Sequence, residues 1–314
     1  MTKAFVFPGQ GSQTVGMGKA LAEEFPAAAA VFAEVDEALG EKLSKLIFEG
    51  PEGDLTLTAN AQPALMAVSM AVTRVLQAEA GLDLARDAAF VAGHSLGEYS
   101  ALAAAGAFTL ADTARLLRLR GDAMQKAVPV GQGAMAAILG LDFDPVAAIA
   151  AEAAKRTGSV CQAANDNGGG QVVISGTKEA VEIAMVLAKE AGAKRALSLP
   201  VSAPFHCALM QPAADAMKAA LASVTIKAPA APLVANVLAA ATSDPEEIRR
   251  RLVEQVTGTV RWRESVAYMA AQGVDTFFEI GAGKVLSGLV KRIADSATGV
   301  SIGNPADIAA YKQR

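Results

Sequence analysis

The chain has 314 residues, enough for one large α/β domain or two smaller ones with ample core, and 52% of them are hydrophobic. No uninterrupted apolar stretch approaches the ~20 residues that span a bilayer, and a net charge of −4 without a basic run argues against a nucleic-acid binder. The two cysteines, Cys161 and Cys207, have no metal-ligand spacing and are too few for a disulfide framework. The start, Met1 to Phe7, lacks the features of a secretory signal, so a cytoplasmic protein is expected.

In chain order, the apolar run over 4–7 predicts a short buried strand that enters Pro8-Gly9-Gln10-Gly11-Ser12-Gln13. This loop has neither a Gly-Lys-Ser/Thr ending nor GxGxxG spacing, so it is not read as a nucleotide site. Its glycines allow close backbone approach to a ligand or another loop. Helical patterns follow over 15–25, 26–39 and 63–80, with Pro63 suited to a first helical turn.

An apolar strand over 88–92 then meets Gly93-His94-Ser95-Leu96-Gly97, and a small-residue helix runs over 96–105. This is the G-x-S-x-G pattern in a strand–turn–helix setting. The turn is tight enough to require Gly93 and Gly97, and it lifts the Ser95 hydroxyl to a helix N-terminus. Free N–H groups and the helix dipole favour negative charge there, so the Leu96 N–H is placed to hold an oxyanion formed on Ser95. Ser95 is read as a nucleophile.

The next predicted helix, 109–126, carries one odd charge. Arg115 and Arg118 have charged helical neighbours and belong to a solvated face, whereas Arg120 lies among Leu116, Leu117, Ala123 and Met124. An arginine on a packed face needs an anion. A buried Asp or Glu, or a side chain that snorkels outward, is favoured by periodicity alone over a substrate anion.

Residues 133–201 read as strand, helix, strand, strand, helix, strand. The strands fall at 134–141, 160–164, 171–175 and 195–201, and the helices at 145–157 and 178–191, the second capped by Thr177. That βαββαβ order is the ferredoxin-like unit, here inserted between two pieces of an α/β chain. A cleft between such units is a common ligand site.

Ser202-Ala203-Pro204-Phe205-His206 follows. Histidine occurs only at His94 and His206. A serine nucleophile needs a base, and His94, adjacent to Ser95 in a strained turn, cannot easily turn back onto it. His206 is therefore the candidate base, ahead of a helix over 208–223. The 242–247 segment is a strong helix start, with Asp244 capping, Pro245 first and Glu247 closing a capping box. That helix ends near Gly258 and leaves the Gln255 carbonyl without an intrahelical partner. The carbonyl is one of several groups that could hold the His206 tautomer. A strand over 276–280, a turn at Gly281-Ala282-Gly283-Lys284 and a final helix over 285–294 close the chain.

FPGQGSQ at 7–13, GHSLGE at 93–98, Arg120 in LRLRGDAM, SAPFH at 202–206 and VEQ at 253–255 occur together and in order. The chain resembles the malonyl-CoA:acyl carrier protein transacylases of dissociated fatty-acid synthases over nearly its full length. The resemblance implies an α/β-hydrolase-like core with a parallel sheet (residues 1–127 and 203–314) and an inserted ferredoxin-like subdomain (residues 128–202). It implies Ser95 as the acylated nucleophile, His206 as its base and the Gln255 backbone carbonyl as the group orienting His206. The N–H groups of Gln10 and Leu96 would form the oxyanion hole, Arg120 would bind the malonyl carboxylate, and Phe205 would narrow the space beside the α-carbon. Ala282, where relatives often have proline, is the one departure noted and lies outside these motifs. Malonyl-CoA and acyl carrier protein are the implied partners, with no cofactor, metal, nucleic acid or membrane, and a monomer is expected. A polyketide-pathway acyltransferase would share every motif, and a serine esterase would share the elbow but would not need a buried arginine.

Overall fold

The computed structural model describes residues 2–201 and 203–313; Ser202 of the SAPFH segment, Met1 and Arg314 lie outside the described residues. β1 (Lys3–Phe7), β2 (Phe90–Gly93), β7 (Leu233–Val234), β8 (Ala241–Thr242), β9 (Thr276–Ile280) and β10 (Thr298–Ile302) form one sheet, ordered β10-β9-β1-β2-β7-β8. All its pairings are parallel except the last, β7 with β8. A parallel strand covered on both faces reads as a continuous apolar run, and β1 (KAFVF) is buried along four of its five residues. Phe5, Phe7, Val91 and Phe278 point to a core built on the Thr58–Ala80 and Leu110–Ala127 helices. Ala4, Val6, Ala92 and Phe277 point to a second core under the Trp262–Ala271 and Val285–Ile293 helices.

The segment between β2 and β7 contributes a second, antiparallel sheet: β3 (Gly133–Leu139), β4 (Cys161–Asp166), β5 (Gln171–Thr177) and β6 (Arg195–Ser198), ordered β4-β5-β3-β6. With the Phe143–Thr157 and Lys178–Glu190 helices this is the ferredoxin-like arrangement foreseen from the βαββαβ order. One face packs on its own helices through Ile138, Ile174 and Ala150. The other sends Met135, Ala137 and Val173 into the main core. β4 is also stitched to the larger unit, because Val260 N–H donates to the Ala164 carbonyl and its own carbonyl accepts from Asp166 N–H, both at 2.9 Å. The two sheets thus converge on one side of the molecule, where the site lies.

Several local expectations need correction. The helix expected from Pro63 starts at Thr58, so Pro63 sits inside it. Proline cannot donate to the carbonyl of Ala59 four residues earlier. Arg118 takes that carbonyl instead, Nη1 donating at 2.6 Å, and also bonds Asn60 and Glu41, so Arg118 is half-buried rather than solvated. The pattern over 15–25 is helical only at Lys19–Glu24, since Gly16 and Gly18 adopt positive φ. Two short helices, Leu43–Glu49 and Glu52–Thr56, were not foreseen. Thr177 occupies the N-cap position, but its hydroxyl pairs with that of Ser159. Asp244 does cap Glu247 N–H at 2.6 Å, while the Glu247 carboxylate turns to Arg250 and Arg251 and leaves the reciprocal half of the box unmade. Finally, the helix at Val285–Ile293 is not the last element. β10 and the Pro305–Tyr311 helix follow, and β10 gives little sequence signal because it is a half-exposed edge strand.

Candidate active site

β2 leads into a turn that demands two glycines. A Cβ on Gly93 would lie 1.9 Å from the Gly97 carbonyl, and one on Gly97 would lie 2.2 Å from the Phe7 carbonyl. Between them Ser95 has φ 54°, a left-handed conformation that a non-glycine residue holds only when its surroundings impose it. Asn236 supplies much of that constraint. Its Oδ1 accepts from Ser95 N–H at 2.8 Å and its Nδ2 donates to the Gly93 carbonyl at 2.6 Å, gripping both sides of the elbow. The helix that follows, Gly97–Ala104, places its N-terminus behind the serine.

His206, also at positive φ (58°), comes from the loop after β6 and meets the elbow from across the cleft. Ser95 Oγ and His206 Nε2 are 2.8 Å apart, and His206 Nδ1 lies 2.8 Å from the Gln255 carbonyl. A carbonyl only accepts, so Nδ1 carries the proton and Nε2 is the lone-pair nitrogen facing the hydroxyl. Burial, the nearby Arg120 charge and, to a lesser degree, His94 pull the His206 pKa down to about 3, so the ring is neutral near pH 7. His94 does not compete for the serine: its Nε2 lies 2.9 Å from Asn167 Oδ1.

Arg120 is 1% exposed and reaches the same point. Its Nη1 donates to Gln62 Oε1 at 2.7 Å, and its Nη2 donates to Gln255 Oε1 at 2.8 Å and to Ser95 Oγ at 3.1 Å. No carboxylate forms an ion pair with it among the described residues, and its Nε has no partner there. Neither explanation that periodicity favoured describes it, since the side chain neither snorkels outward nor meets a buried Asp or Glu at ion-pair distance. Its charge is held by two amide oxygens, the Tyr99 ring 5.7 Å below its Cζ, and the more diffuse field of buried Glu98. Desolvation lowers its pKa, and only an anion brought from outside would fully offset that cost.

The amide N–H groups of Gln10, in the loop after β1, and of Leu96, in the elbow, have no acceptor among the described residues. Both residues line a cavity of about 520 Å³ with Ser95, Arg120, His206 and Phe205. Met135 and Val173 from the second sheet, Leu199 just after β6, and Val285, Leu286 and Leu289 also line it. Six of the seven residues singled out from the sequence therefore line one cavity, and the seventh, Gln255, contacts two of them, His206 and Arg120. Gln62, Glu98, Asn236 and the side chain of Gln255 were missed. Gln62 and Asn236 did carry a signal, as amides inside otherwise apolar stretches (AQPALM and PLVANV). The arrangement can deprotonate a hydroxyl, stabilise an oxyanion and bind a carboxylate, all within one cleft.

An acyl transferase domain model matches residues 4–310. The malonyl CoA-acyl carrier protein transacylase of Escherichia coli (strain K12) is 51% identical over 307 residues, 98% of this chain and 97% of that one. The crystal structure of the acyl-carrier-protein-S-malonyltransferase from Bartonella henselae superposes with a TM-score of 0.96 at 60% identity, covering 100% and 99% of the two chains. A malonyl-transacylase solved in complex with its type II PKS acyl-carrier protein gives 0.95 at 44% identity, covering 100% and 99%.

Proposed function

The chain belongs to the malonyl CoA-acyl carrier protein transacylases of the acyl transferase family, and from that premise we infer how its own residues carry the reaction. It is an acyltransferase that moves the malonyl group from malonyl-CoA to the phosphopantetheine thiol of acyl carrier protein, supplying fatty-acid elongation. The observation that carries the residue assignment is the line Gln255 carbonyl, His206 Nδ1, His206 Nε2, Ser95 Oγ, with both contacts at 2.8 Å and Arg120 alongside.

Neutral His206 takes the Ser95 proton through Nε2 as Oγ attacks the thioester carbon, and the Gln255 carbonyl steadies the imidazolium that forms. The resulting oxyanion is held by the N–H groups of Gln10 and Leu96. Collapse breaks the C–S bond, and coenzyme A leaves as the thiol with the proton returned by His206. The carrier's thiol then attacks the malonyl-serine ester by the reverse path, and Ser95 recovers its proton. Arg120 holds the free carboxylate, its planar fork matching the two oxygens. Phe205 lines the cavity and limits the room beside the α-carbon. The chemistry calls for no cofactor. A cytoplasmic location fits two unbridged cysteines, Cys161 and Cys207. No helix of the described residues is long and apolar enough to cross a membrane.

The test is intact-protein mass spectrometry after mixing with malonyl-CoA. One malonyl adduct is expected on the parent chain, none on Ser95→Ala, and the adduct should disappear when phosphopantetheinylated carrier is added. An adduct that water removes as fast as the carrier does would favour an esterase. Because one similar structure pairs with a type II PKS carrier, discharge rates should be compared for fatty-acid and polyketide carriers.

A further inference from the structure

Glu98 takes no part in the steps above, yet its carboxyl is fully buried in the first turn of the helix behind Ser95. Its Oε2 accepts from Gln255 Nε2 at 2.8 Å and from the Asn236 backbone N–H at 3.3 Å, while Oε1 has no partner among the described residues. Burying a carboxyl with one orphaned oxygen costs stability, and desolvation raises its pKa to about 7. An apolar side chain of similar volume would pack there at lower cost.

What the carboxyl does accomplish is to set a direction. A glutamine amide has one donor end and one acceptor end. Gln255 Nε2 is ringed by acceptors: Glu98 Oε2, the Ser95 carbonyl at 2.9 Å and Asn236 Oδ1 at 3.4 Å. Its Oε1 faces Arg120 Nη2, which can only donate. Flipping that amide would press two donors together at Arg120 and two acceptors together at Glu98. Gln255 therefore serves the base through its main-chain carbonyl and the arginine through its side chain, and Glu98, the ionisable member of the three acceptors around Nε2, anchors its donor end.

We propose that Glu98 is a positioning residue for acyl-group selection: by setting the polarity of Gln255, it aims the Arg120 guanidinium at the free carboxylate of the incoming acyl group. This rests on the reading of Arg120 as the carboxylate site, and the experiment separates the two. Acylation of Ser95 is followed with malonyl-CoA and with acetyl-CoA in the parent chain, Arg120→Ala, Glu98→Leu and Glu98→Gln. Glu98→Leu keeps the volume but removes the acceptor. It should lower the malonyl-to-acetyl ratio of kcat/KM by roughly 10- to 100-fold, mainly through a higher KM for malonyl-CoA, as expected for a lost bond in a charged network. Glu98→Gln, able to present an oxygen again, should retain the parent ratio. Equal losses on both substrates in Glu98→Leu, or a Glu98→Gln as unselective as Glu98→Leu, would overturn the proposal. If Arg120→Ala itself leaves the ratio unchanged, the carboxylate site is wrong and this inference falls with it. If Arg120→Ala shifts the ratio and Glu98→Leu does not, only the role of Glu98 fails. Should Glu98→Leu not fold, Glu98→Met removes the same acceptor with a more flexible apolar side chain. It should likewise depress the malonyl ratio, and an unchanged ratio would overturn the proposal.

Discussion

At the scale of single residues, the proposed chemistry turns on two side chains from distant parts of the chain, Ser95 and His206. His206→Ala should slow acylation by ~10²–10⁴-fold near neutral pH, while Ser95→Ala should remove it altogether with the fold intact, checked by rapid-quench acylation and circular dichroism. The pH profile follows from the direction of the His206 shift. A base whose pKa falls from 6.5 to about 3 stays unprotonated as pH drops through 6, so kcat/KM for malonyl-CoA should show no inflection near 6.5. Arg120 contributes to that depression, and a bound malonyl carboxylate would offset its charge, so the pKa seen in kcat should lie above the one seen in kcat/KM. A limb at pH 6.5 in kcat/KM would contradict this. Glu98 behaves in the opposite sense. Its folded pKa is raised from 4.5 to about 7, so its contribution to stability is fully present below 4.5 and lost as pH rises through 7. Glu98→Gln, which never ionises, should gain in Tm relative to the parent between pH 5 and 8, measured by calorimetry.

At the scale of elements, the position of Arg120 depends on how closely two helices cross. Gly121 of the Leu110–Ala127 helix lies against the start of the Thr58–Ala80 helix, where a Cβ would meet Ala59 Cα and the Thr58 carbonyl at 2.6 Å. Gly121→Ala should force the helices apart, costing about 1–3 kcal/mol in denaturant unfolding. It should also reduce malonyl use, because the neighbouring Arg120 moves with its helix. The same crossing explains the internal Pro63. The Ala59 carbonyl that Pro63 cannot satisfy is satisfied by Arg118, so the proline and its remedy sit on different helices. Arg118→Ala should strand that carbonyl and cost about 1–3 kcal/mol, whereas an exposed arginine such as Arg115 should be near-neutral in the same titration.

At the scale of the whole molecule, the cavity lies where the parallel sheet's loops face the open side of the antiparallel sheet. The helix Val285–Ile293 borders it through Val285, Leu286 and Leu289, and Lys284, Lys291 and Arg292 on or beside that helix are exposed. Carriers of this kind are expected to be acidic, so these three cations are proposed to guide docking despite the net charge of −4. Transfer from malonyl-enzyme to carrier should slow as salt rises, since exposed pairs are screened over a Debye length of ~8–10 Å, and charge reversal of Lys291 and Arg292 should weaken that dependence. The reaction with malonyl-CoA alone is the control. A carrier step indifferent to salt would sink the docking idea.

What the sequence determined by itself was whatever short-range physics governs. The elbow was legible because Gly93 and Gly97 have a steric reason to be glycine, and the βαββαβ order because periodicities of two and 3.6 alternate cleanly there. His206 was legible because the chain holds only two histidines. Arg120 was flagged as anomalous by its helical neighbours, but periodicity could not say what it faces. That was decided by the crossing of two helices, which sets Gln62 against it, and by the end of the Pro245–Glu254 helix, which brings Gln255, with no carboxylate at ion-pair distance among the described residues. The grip of Asn236 on the elbow, the turn of Gln255 toward Arg120 and the burial of Glu98 against Gln255 join residues up to 157 positions apart. Such partners leave no mark in local pattern, because a buried amide or carboxyl is made tolerable only by groups that the folded chain brings to it.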